Sequence, residues 1–295
     1  MMTRLSLTAA VVLAIGSPLH AQEVGGSGTA PTGALPPEGP AETVFDGDYL
    51  SIGIGLGLGP SYSGSDDYIV FPLPIVQASF GGIDIDPRPA GLALDFIPDS
   101  DSGPSFNLGI AGRLRSDRAD LDDIDDVVVE ALGELDRAIE VGPTAGVSFP
   151  GVLNHYDSLS FTVDALWDVA GAHDGMTVSP AVTYFTPLSR GVAASLSLNA
   201  SFVDDDFADY YYSVSPAGSV ASGLPVFQAE GGLDSLGANV LLAVDLNGDV
   251  TDGGLSLVGI AGYSRLMNDG KDTPLTSIRG SADQWLVGAG IGYTF

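Results

Sequence analysis

Residues 50–58 read LSIGIGLGL, and residues 285–295 read WLVGAGIGYTF. In both stretches every second residue is apolar and mostly large, and the residues between them are mostly glycine or another small residue. Side chains of a β-strand alternate between the two faces of a sheet, so this pattern predicts strands with one apolar face and one face of small residues. These stretches decide the fold because they begin and end the patterned part of the chain.

The same alternation recurs between those two stretches, for example over residues 159–169 and 192–202. Ten or fourteen strands remain alternatives to the twelve that we count, because strand boundaries are the least certain part of such an assignment. The predicted strands cover residues 49–58, 68–80, 82–96 (bent at Pro87 and Pro89), 105–115, 138–149, 158–170, 175–187, 191–203, 208–214, 234–246, 254–266 and 284–295.

Two all-β architectures fit this pattern: a soluble sandwich with the apolar faces inside, and a transmembrane barrel with the apolar face outside. The predicted strands often exceed the ~5–6 residues of an ordinary strand and suit the ~9–11 residues that cross a bilayer at a tilt. We therefore predict an all-β fold, an antiparallel transmembrane β-barrel of about twelve strands. The side chains expected to face the membrane include Leu50, Ile52, Ile54, Leu56, Leu196, Leu198, Trp285, Val287 and Ile291.

The N-terminus has the pattern of a secretory signal, in which Arg4 precedes an apolar run and small residues follow up to Ala21. That run is shorter than the ~20 apolar residues of a membrane-spanning helix. Residues 1–21 are therefore predicted to be a signal peptide. Residues 22–47 are rich in Gly and Pro and are predicted to form a flexible periplasmic tail, and residues 48–295 are predicted to form the barrel.

The charge of the chain restricts its partners. Ten Lys and Arg residues stand against 38 Asp and Glu residues, which gives a net charge of −28. A nucleic-acid partner is excluded on this ground, because its phosphates require a basic surface. The sequence contains no cysteine, so an exported chain of this kind cannot rely on disulfides and needs a large core, a metal or a closed sheet.

An even number of strands places both chain ends on one side of the membrane, which we expect to be the periplasm. With the strands counted above, residues 116–137 become a long periplasmic turn and residues 188–190 a very short external loop, and both are unusual for such barrels. The other expected periplasmic turns are 81–82, 171–175 and 247–253, and the other expected external loops are 215–233 and 267–283.

Several short motifs follow one another along residues 48–295. They read GLG at 55–57, PSYSGSDDY at 60–68, YYSVS at 211–215, SGLP at 222–225, AEGGL at 229–233, YSRL at 263–266 and RGS at 279–281. In this order the chain resembles the MltA-interacting protein family, also called MipA/OmpV, of Gram-negative outer membranes. Thr273-Pro274 departs from the Ser-Pro that we expect there. The residues that carry the resemblance are Gly57, Pro60, Tyr62, Gly64, Tyr68, Tyr212, Tyr263 and Leu266.

The resemblance implies a scaffold in the outer membrane that brings a murein transglycosylase and a murein synthase together. Other members of the family are described as porin-like or adhesive. The expected function is therefore a non-enzymatic scaffold for murein-processing proteins, on a monomer surrounded by outer-membrane lipid. A porin-like channel for small solutes is the alternative, and an outer-membrane lipid hydrolase is a third possibility.

Residues with catalytic or metal-binding chemistry do not form a convincing motif, so we expect no enzyme, cofactor or metal. His155 and His173 lie in predicted turns, and nothing in the sequence places a serine within hydrogen-bond reach of either. Asp245 to Thr251 begins like a calcium loop but has Val250 where the sixth position requires glycine. Tyr293 and Phe295 resemble the C-terminal signal by which the barrel-assembly machinery recognises its clients.

Overall fold

The computed structural model describes residues 43–100 and 103–295, which form a closed barrel of twelve antiparallel strands. The predicted signal peptide and the predicted tail up to residue 42 lie outside the described residues. Each strand pairs with its neighbours in the chain, and β12 pairs with β1 to close the barrel. The strands are β1 Tyr49–Pro60, β2 Tyr68–Phe80, β3 Ile83–Arg88, β4 Gly91–Asp95, β5 Ser105–Arg115, β6 Ala138–Pro150, β7 Ser158–Asp168, β8 Met176–Ser189, β9 Val192–Val203, β10 Gly232–Asp245, β11 Gly254–Leu266 and β12 Asp283–Thr294.

Short helices occupy several of the connections between strands. None of the helices in the described ranges is long and apolar enough to cross a membrane. Two single turns of 3₁₀ helix cover Val44–Asp46 and Leu121–Asp123. The α-helices are α1 Val127–Glu130, α2 Asp205–Tyr212, α3 Pro216–Ser222, α4 Asn268–Asp272 and α5 Pro274–Ser277.

The two ends of the barrel differ in the length of their connections. All five α-helices lie at one end, which we call the loop end. At the other end, which we call the turn end, the connections are short, and the Phe295 N–H donates to the Leu50 carbonyl, so both ends of the barrel sequence meet there. The connections of the loop end are 61–67, 89–90, 116–137, 169–175, 204–231 and 267–282, and those of the turn end are 81–82, 96–104, 151–157, 190–191 and 246–253.

The twelve predicted strands were correct in number, but two assignments were wrong. The segment 82–96 is not one bent strand but the hairpin of β3 and β4, whose tip is Pro89-Ala90 with Ala90 at φ 56°. The segment 208–214 lies mostly in α2. The Asp204 side chain caps that helix by accepting the Phe207 N–H. Two further acidic residues in the first turn stabilise the helix, because their negative charge lies at the positive end of the helix dipole.

These two changes shift the expected sides of the connections between them, including three whose sides were predicted from the sequence. Residues 116–137 and 171–175 lie at the loop end, and residues 188–190 lie at the turn end. The expectation of a long acidic turn on the same side as both ends of the barrel sequence was therefore wrong, and so was that of a very short loop on the opposite side. Dividing segment 82–96 into two strands adds one strand, so every strand after it runs opposite to the predicted direction. The predicted strand 208–214 is helical instead, which removes one strand and restores the predicted direction from β10 onward.

The barrel closes between two strands whose inner faces are glycine. Gly53 and Gly55 of β1 lie opposite Gly292 and Gly290 of β12. A Cβ atom on Gly55 would lie 2.5 Å from the Ala289 carbonyl oxygen, a distance that real Cβ atoms do not show. The absence of side chains on this face lets the wall curve sharply where it closes.

Candidate functional site

The interior of the barrel contains one large cavity of about 820 Å³ that extends from the turn end to the underside of the loops. Its shape is set by three features: a cap of packed loops, a network of buried charges along one half of the wall, and an apolar patch along the other half. Together these features decide what the barrel can admit or bind.

The loop end is closed by a small hydrophobic core, which we call the cap. Its residues come from four different connections and are almost completely removed from solvent. Arg279 ties two of these connections together, because its side chain donates to the Asp126 carboxylate at 2.8 Å. The buried residues of the cap are Tyr62, Ile124, Val129, Val214, Leu224 and Leu275.

Helix α2 forms the second part of the cap. Phe207, Tyr211 and Tyr212 are each no more than 3% exposed and pack with Ala208 and Ala229. The Tyr212 hydroxyl donates to Asp234 at the start of β10 at 2.6 Å, so the helix is bonded to the barrel wall. Burial and the neighbouring carboxylate raise the pKa of the Tyr212 phenol well above its ordinary value, which keeps it protonated as the donor.

A buried charge network lies directly under α2. Both oxygens of the Glu140 carboxylate are used: Oε2 accepts from Arg113 at 2.6 Å, and Oε1 accepts from Arg115 at 2.7 Å. The Arg115 guanidinium also lies 4.7 Å from the centre of the Phe207 ring, a cation–π contact between β5 and α2. The network thereby joins the wall of the barrel to its cap.

His173 completes this network from the turn between β7 and β8. Its Nδ1 accepts the Gly175 N–H at 3.0 Å, so the proton of the neutral ring belongs on Nε2, which faces Glu140 Oε1 at 3.3 Å. Both ring nitrogens therefore have partners, and neither partner is a hydroxyl group. His173 lies in a turn, as predicted, but the sequence did not indicate that it is 3% exposed.

Further toward the turn end, the charged half of the wall continues with Arg88. Its side chain reaches from β3 to Asp164 of β7 at 3.0 Å, across a chord of the barrel. Arg88 also donates to the Pro87 carbonyl at 3.1 Å. Arg88 and Asp164 therefore extend the charged side of the lumen beyond the Glu140 network.

The opposite half of the lumen carries an apolar patch among polar side chains, which the predicted inner face of small residues did not anticipate. Ile75 of β2 lines the cavity together with Leu241 and Ala243 of β10 and with Val258 and Ile260 of β11. We call these five residues the apolar patch. Outer-membrane barrels normally have a polar interior, so the patch is unusual. Above it, toward the cap, a second group fills the lumen, namely Phe71, Leu73, Ile69, Ile260 and Leu286.

The turn end presents a rigid connection between β6 and β7. Asp157 in this turn is 2% exposed, and its carboxylate accepts N–H groups from Val152, Leu153 and Asn154. Burial alone would raise the pKa of Asp157, but the hydrogen bonds from Tyr184 and from these backbone groups hold it below its ordinary value. The fixed turn leaves Leu153 78% exposed.

The residues expected to face the membrane lie on the outside of the barrel. Ile52 and Leu196 are each 45% exposed and Ile291 is 50% exposed, so they do not form a dry centre. Tyr293 packs on Phe295 with their ring centres 4.6 Å apart, at the turn end. Direct contact of these side chains with lipid, and recognition of Tyr293 and Phe295 by the assembly machinery, stay predictions.

The structure brings several family-motif residues together at the loop end. Tyr62, Leu266 and Tyr212 are each 3–4% exposed there. Gly64 has φ 98°, and a Cβ on it would lie 2.2 Å from Thr276 Oγ1, so only glycine lets connections 61–67 and 267–282 interlock. The Tyr68 hydroxyl accepts the Trp285 N–H at 3.1 Å. The remaining motif residues, Gly57, Pro60 and Tyr263, lie in strands β1 and β11.

The candidate calcium loop and the two histidines have structural explanations. The Asp245 carboxylate accepts the N–H groups of Asn247, Gly248 and Asp249, which makes this stretch a hydrogen-bonded turn. Within the described residues, no cluster of three or more His, Cys, Asp or Glu side chains has a geometry that holds a metal. Neither histidine has a hydrogen bond to a serine among the bonds of the described residues.

Sequence reasoning missed Arg113, Arg115 and Glu140. The sequence did contain an indication of this network, because these charged residues occupy inward positions in two strands whose outward positions are apolar. Charged side chains at inward positions of a membrane barrel mark the lumen. Their pairing with one another, however, required the register of β5 and β6, in which Arg113 lies opposite Glu140.

Comparison with known proteins gives a family for the chain. The MltA-interacting protein MipA family matches residues 52–295. None of the curated proteins is significantly similar in sequence. An outer membrane channel from Pseudomonas putida F1 shares 13% identity over 84% of this chain and 96% of its own, with a TM-score of 0.42. The toluene transporter TodX of Pseudomonas putida shares 10% identity over 86% of this chain and 92% of its own, with a TM-score of 0.36.

Identities and TM-scores this low say nothing about a shared function, so the fold and the family carry the assignment. The described chain is a closed barrel with most of its exposed large apolar side chains on the outer face, which is the architecture of outer-membrane barrels. The family match covers almost all of that barrel. The chain is therefore an outer-membrane β-barrel, and it belongs to the MltA-interacting protein MipA family.

Proposed function

We propose that this protein is a non-enzymatic, monomeric anchor in the outer membrane that holds a murein transglycosylase, and through it murein synthesis, at the cell envelope. In this proposal the turn end faces the periplasm, together with the N-terminal tail and the C-terminus. The family name describes an interaction with MltA, a murein transglycosylase, which supports this class of partner.

The observation that carries the proposal is that the loop end is blocked by the side chains of the protein itself. The cap, α2 and the Glu140 network fill the lumen at that end. A barrel closed in this way is poorly suited to free passage of solutes along its axis, which disfavours the porin-like alternative. The turn end offers the regular and accessible surface for a partner.

The lengths of the connections support this orientation. Outer-membrane barrels have short periplasmic turns and longer external loops. Here the longest connections, 116–137 and 204–231, lie at the loop end, and two of the three two-residue turns, 81–82 and 190–191, lie at the turn end. The membrane orientation of the ends follows from this general rule.

The β6–β7 turn is the docking point that we assign to the partner. Val152, Leu153 and Tyr156 are 45%, 78% and 56% exposed, while Asp157 fixes the backbone beneath them. A preformed apolar turn loses little conformational entropy when it binds, so it suits a stable protein contact. A murein transglycosylase with an apolar groove on its surface would bury these side chains.

A binding measurement tests the proposal. The full-length protein in lipid nanodiscs is titrated with the purified MltA-type transglycosylase of the same cell, and the affinity is measured by interferometry. Leu153→Asp should weaken binding at least about tenfold, because a charge then enters a buried apolar contact. Val220→Asp is the matched control, because Val220 is 88% exposed in α3 at the opposite end.

Two results would overturn the proposal. One is no measurable binding of the transglycosylase to the wild-type protein. The other is an equal loss of affinity in both variants, which would place the contact away from the turn end.

A further inference from the structure

The barrel wall is closed by hydrogen bonds less completely between β2 and β3 than elsewhere. Strand β2 has twelve register pairs with β1, from Tyr49–Ser79 to Pro60–Tyr68, but only three with β3, from Phe80–Ile83 to Ala78–Ile85. Beyond Ala78, the side of β2 that faces β3 has no strand pairing in the described residues. We call this line, between residues 74–76 of β2 and residues 87–89 opposite them, the seam.

Prolines explain why the pairing stops. The hairpin turn Gly81-Gly82 makes Phe80–Ile83 a hydrogen-bonded pair, so Ala78–Ile85 is the next such pair along the hairpin. Continued at the same spacing, the following hydrogen-bonded positions would be Val76–Pro87 and then Pro74–Pro89, where Pro89 begins the tip of the β3–β4 hairpin. Proline has no N–H, so three of these four positions cannot donate. The sequence therefore prevents the ladder from continuing.

Other prolines in the wall do not have this effect. Pairing of β6 with β7 is interrupted at Pro143 but continues from Thr144–Asp164, and pairing of β8 with β9 is interrupted at Pro180 but continues from Ala181–Asn199. At the seam, in contrast, the ladder does not resume. Unpaired backbone groups are costly in hydrocarbon, so the seam is the line along which the wall separates most easily.

The apolar patch of the lumen adjoins the seam. Ile75 belongs both to β2, at the edge of the seam, and to the patch that it forms with Leu241, Val258 and Ile260 around the cavity. On the other edge, Arg88 points inward and bonds to Asp164. A molecule that came through the seam would therefore meet an apolar surface on one side and hydrogen-bonding groups on the other.

We propose that the cavity binds one flexible apolar chain of a single-chain membrane amphiphile, which moves in sideways from the bilayer through the seam. The cavity of about 820 Å³ is within the roughly 300–1,000 Å³ range of pockets for a single small ligand. The cap blocks the axial route from the loop end. The apolar chain lies against the patch, and the polar head lies on the side of Arg88 and Asp164.

A fluorescent reporter inside the cavity tests the binding site. The chain has no cysteine, so Val258→Cys can be labelled alone with an environment-sensitive dye, in full-length protein in nanodiscs. Lauric acid and dodecylamine should both change the emission saturably, whereas butyric acid, with too short a chain, should not. Leu257→Cys is the matched control, because this neighbouring residue is 47% exposed on the outer face and should report no saturable change.

The route is tested by restoring hydrogen-bond donors to the seam. Pro74→Val together with Pro87→Val adds two N–H groups at ladder positions, whereas Pro143→Val together with Pro180→Val adds two elsewhere in the wall. Two further net hydrogen bonds should slow uptake of the chain about tenfold in the first variant. The second variant should take it up at the wild-type rate.

A second variant keeps the test informative if the proline variant does not assemble. Val76→Cys together with Pro87→Cys can be joined by a disulfide across the seam, and uptake is then followed with a dansylated fatty acid that needs no protein label. Uptake should be slow when the protein is oxidised and should recover on reduction. No saturable response at position 258 would overturn the binding site, and uptake unaffected by either seam variant would overturn the lateral route.

Discussion

Replacing Glu140 by glutamine should destabilise the barrel and loosen its cap. The Glu140 side chain is completely buried, and it is the carboxylate that pairs with both Arg113 and Arg115. Glutamine keeps the shape but removes the charge, so two guanidinium groups remain without their partner in a largely buried site. Breaking a buried ion pair from one side typically costs about 3–5 kcal/mol.

The lower end of that range applies here. The side chains of Arg113 and Arg115 are 16% and 19% exposed, so water in the lumen screens part of the remaining charge. We therefore expect the free energy of unfolding to fall by about 3 kcal/mol. Hydrogen exchange in α2 should also accelerate, because Arg115 stacks on Phe207 of that helix.

Denaturant unfolding in detergent micelles, followed by tryptophan fluorescence, measures the change. Asp249→Asn is the control, because it removes an ion pair with Arg190, whose side chain is 84% exposed. An exposed pair of this kind contributes at most about 1 kcal/mol. If Glu140→Gln were no more destabilising than this control, the network would not hold the cap to the wall, and our account of the blocked loop end would be refuted.

Three further predictions follow from the same structure. Purified protein in planar bilayers should show no steady conductance, since the loop end is closed, and a stable open channel would contradict the cap. Burial opposes ionisation of Asp126, but hydrogen bonds from Arg279 and from the backbone of α1 lower the pKa of its carboxyl group. The ionised carboxylate therefore contributes fully to the stability of the cap above the ordinary Asp pKa of ~3.9. This contribution is lost as the pH falls below that value. Protease sensitivity of the loops should therefore rise as the pH falls below ~3.9 in the wild type and show a smaller pH dependence in Asp126→Asn. Phe295→Ala should lower the amount of folded, heat-modifiable barrel in the membrane, and unchanged amounts would count against an assembly signal.

The wall of the barrel was largely predictable from the sequence. The alternation at 50–58 and 285–295 results from the geometry of a single strand, in which neighbouring side chains point to opposite faces, so it can be seen without any tertiary contact. The closed twelve-strand barrel confirmed the predicted fold class, and the MipA family match confirmed the resemblance that the motifs indicated.

The direction of the strands was harder to predict because it depends on how many turns precede each one. Segment 82–96 has apolar residues at strand spacing throughout, but Pro89-Ala90 folds it into two strands. Segment 208–214 has aromatic residues that suit a strand, but the capping of α2 by Asp204 makes it helical. The added strand in segment 82–96 moves the connections that follow it to the opposite end of the barrel. The lost strand in segment 208–214 compensates for it in the count, so the total remains twelve.

The interior was decided only by the tertiary structure. Arg88 and Asp164 are far apart in the chain and four strands apart in the sheet, and they meet because the sheet closes and brings inward side chains across the lumen. The cap likewise joins Tyr62 to Leu275 through loops that have no regular pattern. Alternation is a local property of the backbone, so the sequence determined which residues face outward; contacts across a closed cylinder depend on register and curvature, so only the folded barrel determined which inward residues meet.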